Sequence, residues 1–252
     1  MNQKELKSFL DQKTQEYESI GFISNDPIQI PHQFSKKEDI EIAGFLSATV
    51  SWGNRVSILN SASRIIDMMD HSPHEFILNH KEKDFKKLKG FVHRTFNEQD
   101  LLYFFKSLKN IYQKYGGLEK LFSSNKIPLQ KRIHHFKKIF FELNHLRRTE
   151  KHVSDPLKGS AAKRINMFLR WMVRSNQKGV DFGIWKSISS SDLSLPLDIH
   201  TGGVARKLGL LKRKQNDAKA LLELDTKLRK FDPIDPVRYD FALFGLGAFE
   251  KF

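Results

Sequence analysis

The sequence predicts an all-α protein of two lobes with a cleft between them. Apolar residues recur at spacings of three and four rather than two along most of the chain. The breaks between these periodic stretches carry Ser, Asn, Asp and Gly, the residues that start and stop helices. No pair of alternating runs joined by a turn signal stands out as strands. The 252 residues suffice for one large or two small domains with a buried core, and a single unit is the reading adopted.

The elements follow in order. A first helix is expected near Lys4 to Ser19, with Leu6, Phe9, Leu10 and Tyr17 on one face, and NDPIQIPHQF after it reads as extended. Ser35 and Glu38 suggest a capping box ahead of IEIAGFLSATV. A further helix spans Arg55 to Asp70, and Ser72, Pro73 and Glu75 begin another, with proline where its missing donor costs nothing. Asn97 opens the next, which stops at Gly116 and Gly117. After Pro128 comes the basic amphipathic stretch QKRIHHFKKIFFELNHL, whose charges fit a solvated face or a weak attraction for polyanions. The periodicity then vanishes in RRTEKHVSDPLKG, the best candidate for a boundary between lobes. Ser160 opens SAAKRINMFLRWMVR, where Ile165, Phe168, Leu169 and Met172 form a buried stripe. A long connection from Ser175 to Leu197 holds at most a helical turn, and helices near Asp217 to Lys230 and Pro236 to Gly247 close the chain. There is no internal repeat.

Lys and Arg total 43 against 29 Asp and Glu, a formal charge of +14. Such an excess attracts polyanions, and nucleic acid is the leading partner. No run approaches the roughly 18 apolar residues of a membrane span, and MNQKELKSFLDQ lacks the apolar core of a signal peptide, so a soluble cytoplasmic protein is expected. The absence of cysteine excludes disulfides, thiolate nucleophiles, cysteine-held zinc and iron-sulfur clusters. No metal-ligating pattern stands out.

Two residues draw attention. Lys163 falls in the first turn of its helix, where unpaired amides leave partial positive charge; that end, with Arg164 and two alanines beside it, disfavours the ammonium form, and a neutral amine is a nucleophile. By itself it reads first as one surface lysine among many, answering a DNA phosphate or nothing at all. Asp198, in LSLPLDIHTGGVARKLGL, has an ordinary reading as the N-cap of the helix that follows. Capping would also fix the direction of the carboxylate and keep it ionised, ready to face a cation.

Taken together, GSAAKRINMFLRWMV and LPLDIHTGGVARKLG resemble the signature of the helix-hairpin-helix DNA glycosylases, in particular the oxidised-guanine and endonuclease III-like branches, and the chain is similar to an uncharacterised bacterial group within them. The likeness runs from about Asp39 to Phe249, although only the lysine and aspartate segments are specific. It implies that Lys163 and Asp198 are catalytic. It places Lys158, Gly159, Ser160 and Arg164 of the hairpin, with His200, Thr201 and Gly202, against DNA, several through backbone amides that meet a phosphate. Ser51, Trp52, Asn54 and Arg55, with His93 and Arg94 of GFVHRTF and Phe244 of YDFALFGLGAF, would form the base pocket or the wedge that fills the hole left by a flipped nucleotide. Trp52 reads equally as core, and the phenylalanines near the C-terminus are mostly core. The hairpin departs from the pattern, since KGSAAK has one glycine where two are usual. The catalytic region would span about 128–210, with the N- and C-terminal helices making the other lobe.

The implied activity is excision of a damaged base, such as an oxidised purine, from double-stranded DNA through a lysine Schiff base, with or without strand cleavage, by a monomer with no cofactor beyond a monovalent ion at the hairpin. Two rivals stand: a non-catalytic DNA-binding module of the same fold, and a helical scaffold for an acidic protein partner.

Overall fold

A computed structural model describes residues 1–123 and 127–252. Among the described residues nearly all regular structure is helical: α1 (Gln3–Tyr17), α2 (Lys37–Val50), α3 (Arg55–Met68), α4 (Pro73–Asn79), α5 (Glu98–Asn110), α6 (Leu118–Phe122), α7 (Leu129–Phe140), α8 (Lys163–Val173), α9 (Ile199–Lys207), α10 (Ala218–Phe231) and α11 (Tyr239–Ala248). No helix is long and apolar enough to cross a membrane. The chain divides into two compact units: Met1–Phe22, Pro128–Lys131 and Asp155–Phe252 make the first, and Ile23–Ile127 with Arg132–Ser154 the second. The boundary near Ser154 falls inside the loop expected to carry it. The terminal helices, however, share a unit with the hairpin and Asp198 instead of forming another lobe, because α1 and α11 are packed partners.

In the first unit, Asn2 and Glu5 form a capping box that starts α1, which then buries Leu6, Leu10 and Thr14. Gly245 lets α11 come close: a Cβ there would lie 2.2 Å from the Tyr17 ring. Leu10, Leu195, Val204, Leu224, Tyr239 and Leu243 join one apolar cluster, each such side chain contributing about 1.5–3 kcal/mol by leaving water. Ile165, Phe168, Leu169 and Met172 of α8 are buried as the periodicity requires.

The second unit is built on phenylalanine. Phe45 of α2 meets the rings of Phe104, Phe136 and Phe140 at centroid distances of 5.8, 5.7 and 5.5 Å. Asn97 caps α5 in a box with Asp100, and the helix runs on as a π-helical turn, Ile111–Tyr115, ended by Gly116 at φ +75°. Three expectations fail here. NDPIQIPHQF is not extended: Pro27–Gln29 and Pro31–Gln33 are 3-10 turns, each with proline in its first position, where the fixed φ suits a helical turn. The Ser35–Glu38 capping box does not form, for α2 starts at Lys37 with no side-chain cap, and Asp39 instead accepts a hydrogen bond from the His74 amide at the start of α4. A strand pair does exist, β1 (Val92–His93) against β2 (Phe96–Asn97), too short to show alternation in the sequence.

Asp100 is the buried electrostatic centre of this unit. Its carboxylate accepts hydrogen bonds from Arg148, Thr149 and the Asn97 amide at 2.7, 2.7 and 3.0 Å, with His152 Nε2 at 3.3 Å. Burial alone would raise its pKa, but His152, the Asn97 amide and Thr149 together hold it down at about 2. Since this folded value lies below the ordinary 3.8, the stabilisation is present above that value and is lost as pH falls through about 2. Asp100→Ala is expected to cost about 3 kcal/mol in urea unfolding at pH 7. The gap between wild type and variant should narrow as pH falls below the ordinary 3.8 and close through about 2, and a gap independent of pH would count against this assignment.

Candidate functional site

The hairpin ahead of Lys163 is built by short-range bonds. The Asp155 side chain accepts from the Leu157 amide and caps the turn Pro156–Lys158, after which Gly159 takes φ +89°, a left-handed conformation suited to glycine. Its carbonyl accepts from the Ala218 amide at 3.0 Å, and Ser160 bridges to Asp217. Because the Asp155, Pro156 and Gly159 carbonyls all accept backbone N–H groups, a monovalent ion there would have to share them. Ser160 does not open the helix as its position suggests. Its hydroxyl accepts from the Ala162 amide at 3.0 Å, Ala162 turns left-handed at φ +46°, and α8 begins at Lys163 itself. A non-glycine residue in that region costs about 1 kcal/mol or more, a strain that places Lys163 at the first helical position. Lys158 and Gly159 are exposed; Lys163 and Arg164 are half-buried, and burial pushes the Arg164 guanidinium down to about 10, so it remains a cation at neutral pH.

Asp198 caps α9, its Oδ1 accepting from the Thr201 amide at 2.9 Å. Its approach is held by α10, whose Asp225 accepts from the Leu195 amide and whose Arg229 donates to the Leu193 carbonyl. Asn216 Nδ2 donates to the Asp198 carbonyl at 2.7 Å while its Oδ1 accepts from Arg206. A Cβ on Gly202 would sit 2.6 Å from that Oδ1, so glycine is what allows Asn216 to reach in. The carboxylate is half-buried, and among the described residues Oδ2 makes no hydrogen bond, which leaves one oxygen for another partner. The expectation that Thr201 and Gly202 amides meet a phosphate is corrected: the first is bound to Asp198 Oδ1 and the second to the Asp198 carbonyl. His200 is exposed, its ring 5.9 Å from that of Phe244, which is half-buried on α11.

Lys163 and Asp198 are in the same unit, and one buried group feels both. Burial pushes the carboxyl of Asp240 up to about 6; Arg170 opposes this, Asp198 adds to it as a like charge, and Lys163 opposes it as an unlike one. Asp240 belongs to a buried network. Arg170 binds it and also Asp181 at 3.3 Å, while Arg174 pairs with Asp181, Asp235 and Glu18 at 2.8, 2.8 and 2.7 Å. Phe241 lies under both guanidinium groups, at 4.5 and 5.3 Å.

The second unit holds the remaining candidates. Ser51 is buried and its hydroxyl donates to the Ser47 carbonyl, so it does not line a pocket. Asn54 caps α3, and Arg55 bonds the Asn25 carbonyl and Asp26. His93 is buried, with Nδ1 bonded to Ser61 at 2.9 Å and Nε2 to the Trp52 carbonyl at 3.1 Å, and therefore positions the loop rather than reaching outward. Trp52 is half-buried, edge-on to His93 at 4.8 Å and stacked on His152 at 5.9 Å, which places it between the two readings left open for it. Arg94 is exposed at the tip of the strand pair, left-handed at φ +55°, as a two-residue hairpin loop requires, and its side chain crosses Gly53.

A model of the family described as a protein of unknown function, DUF2400, matches residues 26–249. The chain belongs to this family. No curated protein and no solved structure matches it. The DUF2400 match takes in both units and every candidate residue, and leaves out α1. Among the described residues no group of three or more His, Asp or Glu is arranged to hold a metal ion.

Sequence reasoning missed Arg170, Asp240 and Asn216. A signal existed for the first two: each is a charge inside an apolar helical run, MFLRWMV and YDFALFGLG, where an ion is retained only if paired. Asn216 carried no such mark. The capping role of Asp198 yields a prediction that separates structure from chemistry: Asp198→Ala should lose about 1 kcal/mol in unfolding, whereas Asp198→Asn, which still caps, should unfold within a few tenths of the wild type. Equal losses in both variants would argue against the cap.

Proposed function

We propose that the protein is a DNA glycosylase of the helix-hairpin-helix type, acting in the cytoplasm on duplex DNA that carries a damaged base. What supports the reading is that Lys163 stands at the first position of α8 and Asp198 caps α9 in the same unit, while α11, packed on α9, carries the Asp240 carboxyl that Arg170 of α8 binds. The resemblance of KGSAAK and LPLDIH to that superfamily's hairpin and aspartate supplies the chemistry, and the formal charge of +14 suits a polyanion.

In this mechanism the nucleotide swings out of the stack at a cost of a few kcal/mol, less where damage has weakened pairing. The Lys163 nitrogen bonds to C1′ as the bond from C1′ to the base breaks, and the base leaves with the electron pair and takes up a proton. Loss of a proton from nitrogen and opening of the sugar ring give a Schiff base. The free Oδ2 of Asp198 faces the positive charge that develops on the sugar. Placement at the start of α8 works against the ammonium form of Lys163.

The test is a panel of duplexes, each with one lesion, treated with borohydride. A covalent adduct is expected with at least one lesion in the wild type. None is expected with Lys163→Gln, and the excision rate should fall about 100-fold or more in Asp198→Asn, with DNA affinity retained in both. Duplex binding without an adduct on any lesion would leave the non-catalytic DNA-binding module; failure to bind duplex at low salt would remove DNA as the partner altogether.

A further inference from the structure

The connection from α9 to α10, residues 208–217, touches both segments that carry the motif. At its end Asp217 bridges to Ser160 of the hairpin, and the Ala218 amide donates to the Gly159 carbonyl at 3.0 Å. One residue earlier, Asn216 donates to the Asp198 carbonyl at 2.7 Å. Two neighbouring residues thus tie the turn before Lys163 to the residue that caps α9.

The connection is fixed from within. Glu223 of α10 accepts from the Lys212 and Arg213 amides at 2.7 and 3.3 Å, and the Arg213 carbonyl accepts from Arg206 Nε at 2.8 Å. The Arg213 guanidinium closes on Asp217, with Nε at 2.7 Å. These bonds engage both acids: the Lys212 amide holds the Glu223 carboxyl below its ordinary range, and Arg213 does the same for Asp217. The first amides of α10, Lys219 and Ala220, are likewise taken by Asp217. What faces water is basic and polar. Lys212, Lys214, Gln215 and Asn216 are exposed, as are Lys219 just beyond the cap and Lys158 on the hairpin. Among the described residues none of these lysines forms a salt bridge.

We propose that the α9–α10 connection is a second contact for the phosphate backbone of duplex DNA, in which Lys212, Lys214 and Lys219 continue the surface that Lys158 begins on the hairpin. The proposal rests on the reading of the chain as a DNA-acting protein and adds a face outside the two specific motif segments. Lysine ammonium groups meet phosphates as point charges, and side-chain amides such as that of Gln215 donate to phosphate oxygens. Other occupants fit the chemistry less well. The centre of a protein interface is depleted in lysine and rich in aromatic side chains, and a membrane-seeking segment inserts apolar ones, whereas residues 212–216, KRKQN, are wholly polar. A backbone already fixed by Glu223, Asp217 and Arg206 loses little freedom when a partner binds.

The experiment measures binding and needs no lesion. Affinity of the full chain for an undamaged, fluorescently labelled duplex is followed by anisotropy between about 50 and 200 mM salt. Three double variants stand beside the wild type: Lys212→Ser with Lys214→Ser, Lys212→Arg with Lys214→Arg, and Lys4→Ser with Lys230→Ser, which removes the same charge from exposed positions elsewhere in the first unit. The plot of log affinity against log salt should become shallower by about two in the serine variant of the connection. It should keep the wild-type slope in the arginine variant and in the Lys4 and Lys230 control. All four side chains are exposed and outside any salt bridge among the described residues, so each variant is expected to fold. A wild-type slope in the serine variant, or an equal fall in the control, overturns the proposal. Binding of the wild type to phosphatidylglycerol vesicles but not to duplex overturns it together with the glycosylase reading. If the slope falls as expected and no lesion gives a borohydride adduct, the glycosylase reading fails and this surface stands.

Discussion

The Arg170–Asp240 ion pair is the constraint on which the first unit depends. Two charges inside an apolar helical core are tolerated only if each is satisfied, and this pair is satisfied by extension: Asp181 divides itself between Arg170 and Arg174, and Arg174 in turn ties Glu18 and Asp235. The pair joins α8 to α11, and α11 in turn packs against α9 through apolar and ring contacts. A network of hydrophobic residues could have given comparable stability. What ionic groups add is a defined direction for each buried charge, since every carboxylate of the network is tied to a particular guanidinium.

The second unit follows the same logic with different residues. Asp100 gathers Arg148, Thr149 and the amide that opens α5, with His152 beside it. His152 carries Trp52 on its face, and Trp52 meets His93, whose ring is fixed by Ser61 and the Trp52 carbonyl. The strand pair and the loop after α2 are thus held from behind by buried polar groups, while Arg94 and Gly53, both at positive φ, are presented at the surface.

Much of this was legible in the sequence because helix periodicity and capping are local. Asn97, Asn54 and Asp198 cap where their positions say they should, and the α8 stripe follows from spacing alone. The illegible parts are those set by long-range contact. Ser35 has the right neighbours for a capping box but stands ahead of the helix that actually forms. Prolines in NDPIQIPHQF mark breaks from sequence and turn out to start 3-10 turns. Ser160 looks like a cap, yet Ala162 in the left-handed region moves the helix start onto Lys163. The resemblance puts His93 and Ser51 in the base pocket or wedge, and only their burial and backbone hydrogen bonds reveal them as internal supports. Asn216 holds the Asp198 carbonyl from 18 positions further along the chain, a relation no local pattern encodes.

The proposed chemistry needs Lys163 and Asp198 at one site, within reach of the charge on the buried Asp240 carboxyl. Carboxyl-carbon NMR of Asp240, followed through its titration in the wild type, Lys163→Gln and Asp198→Asn, tests that directly. Removing the lysine cation should raise the midpoint above its wild-type value near 6, and removing the aspartate charge should lower it. Three coincident titration curves would mean that the two side chains do not share a site.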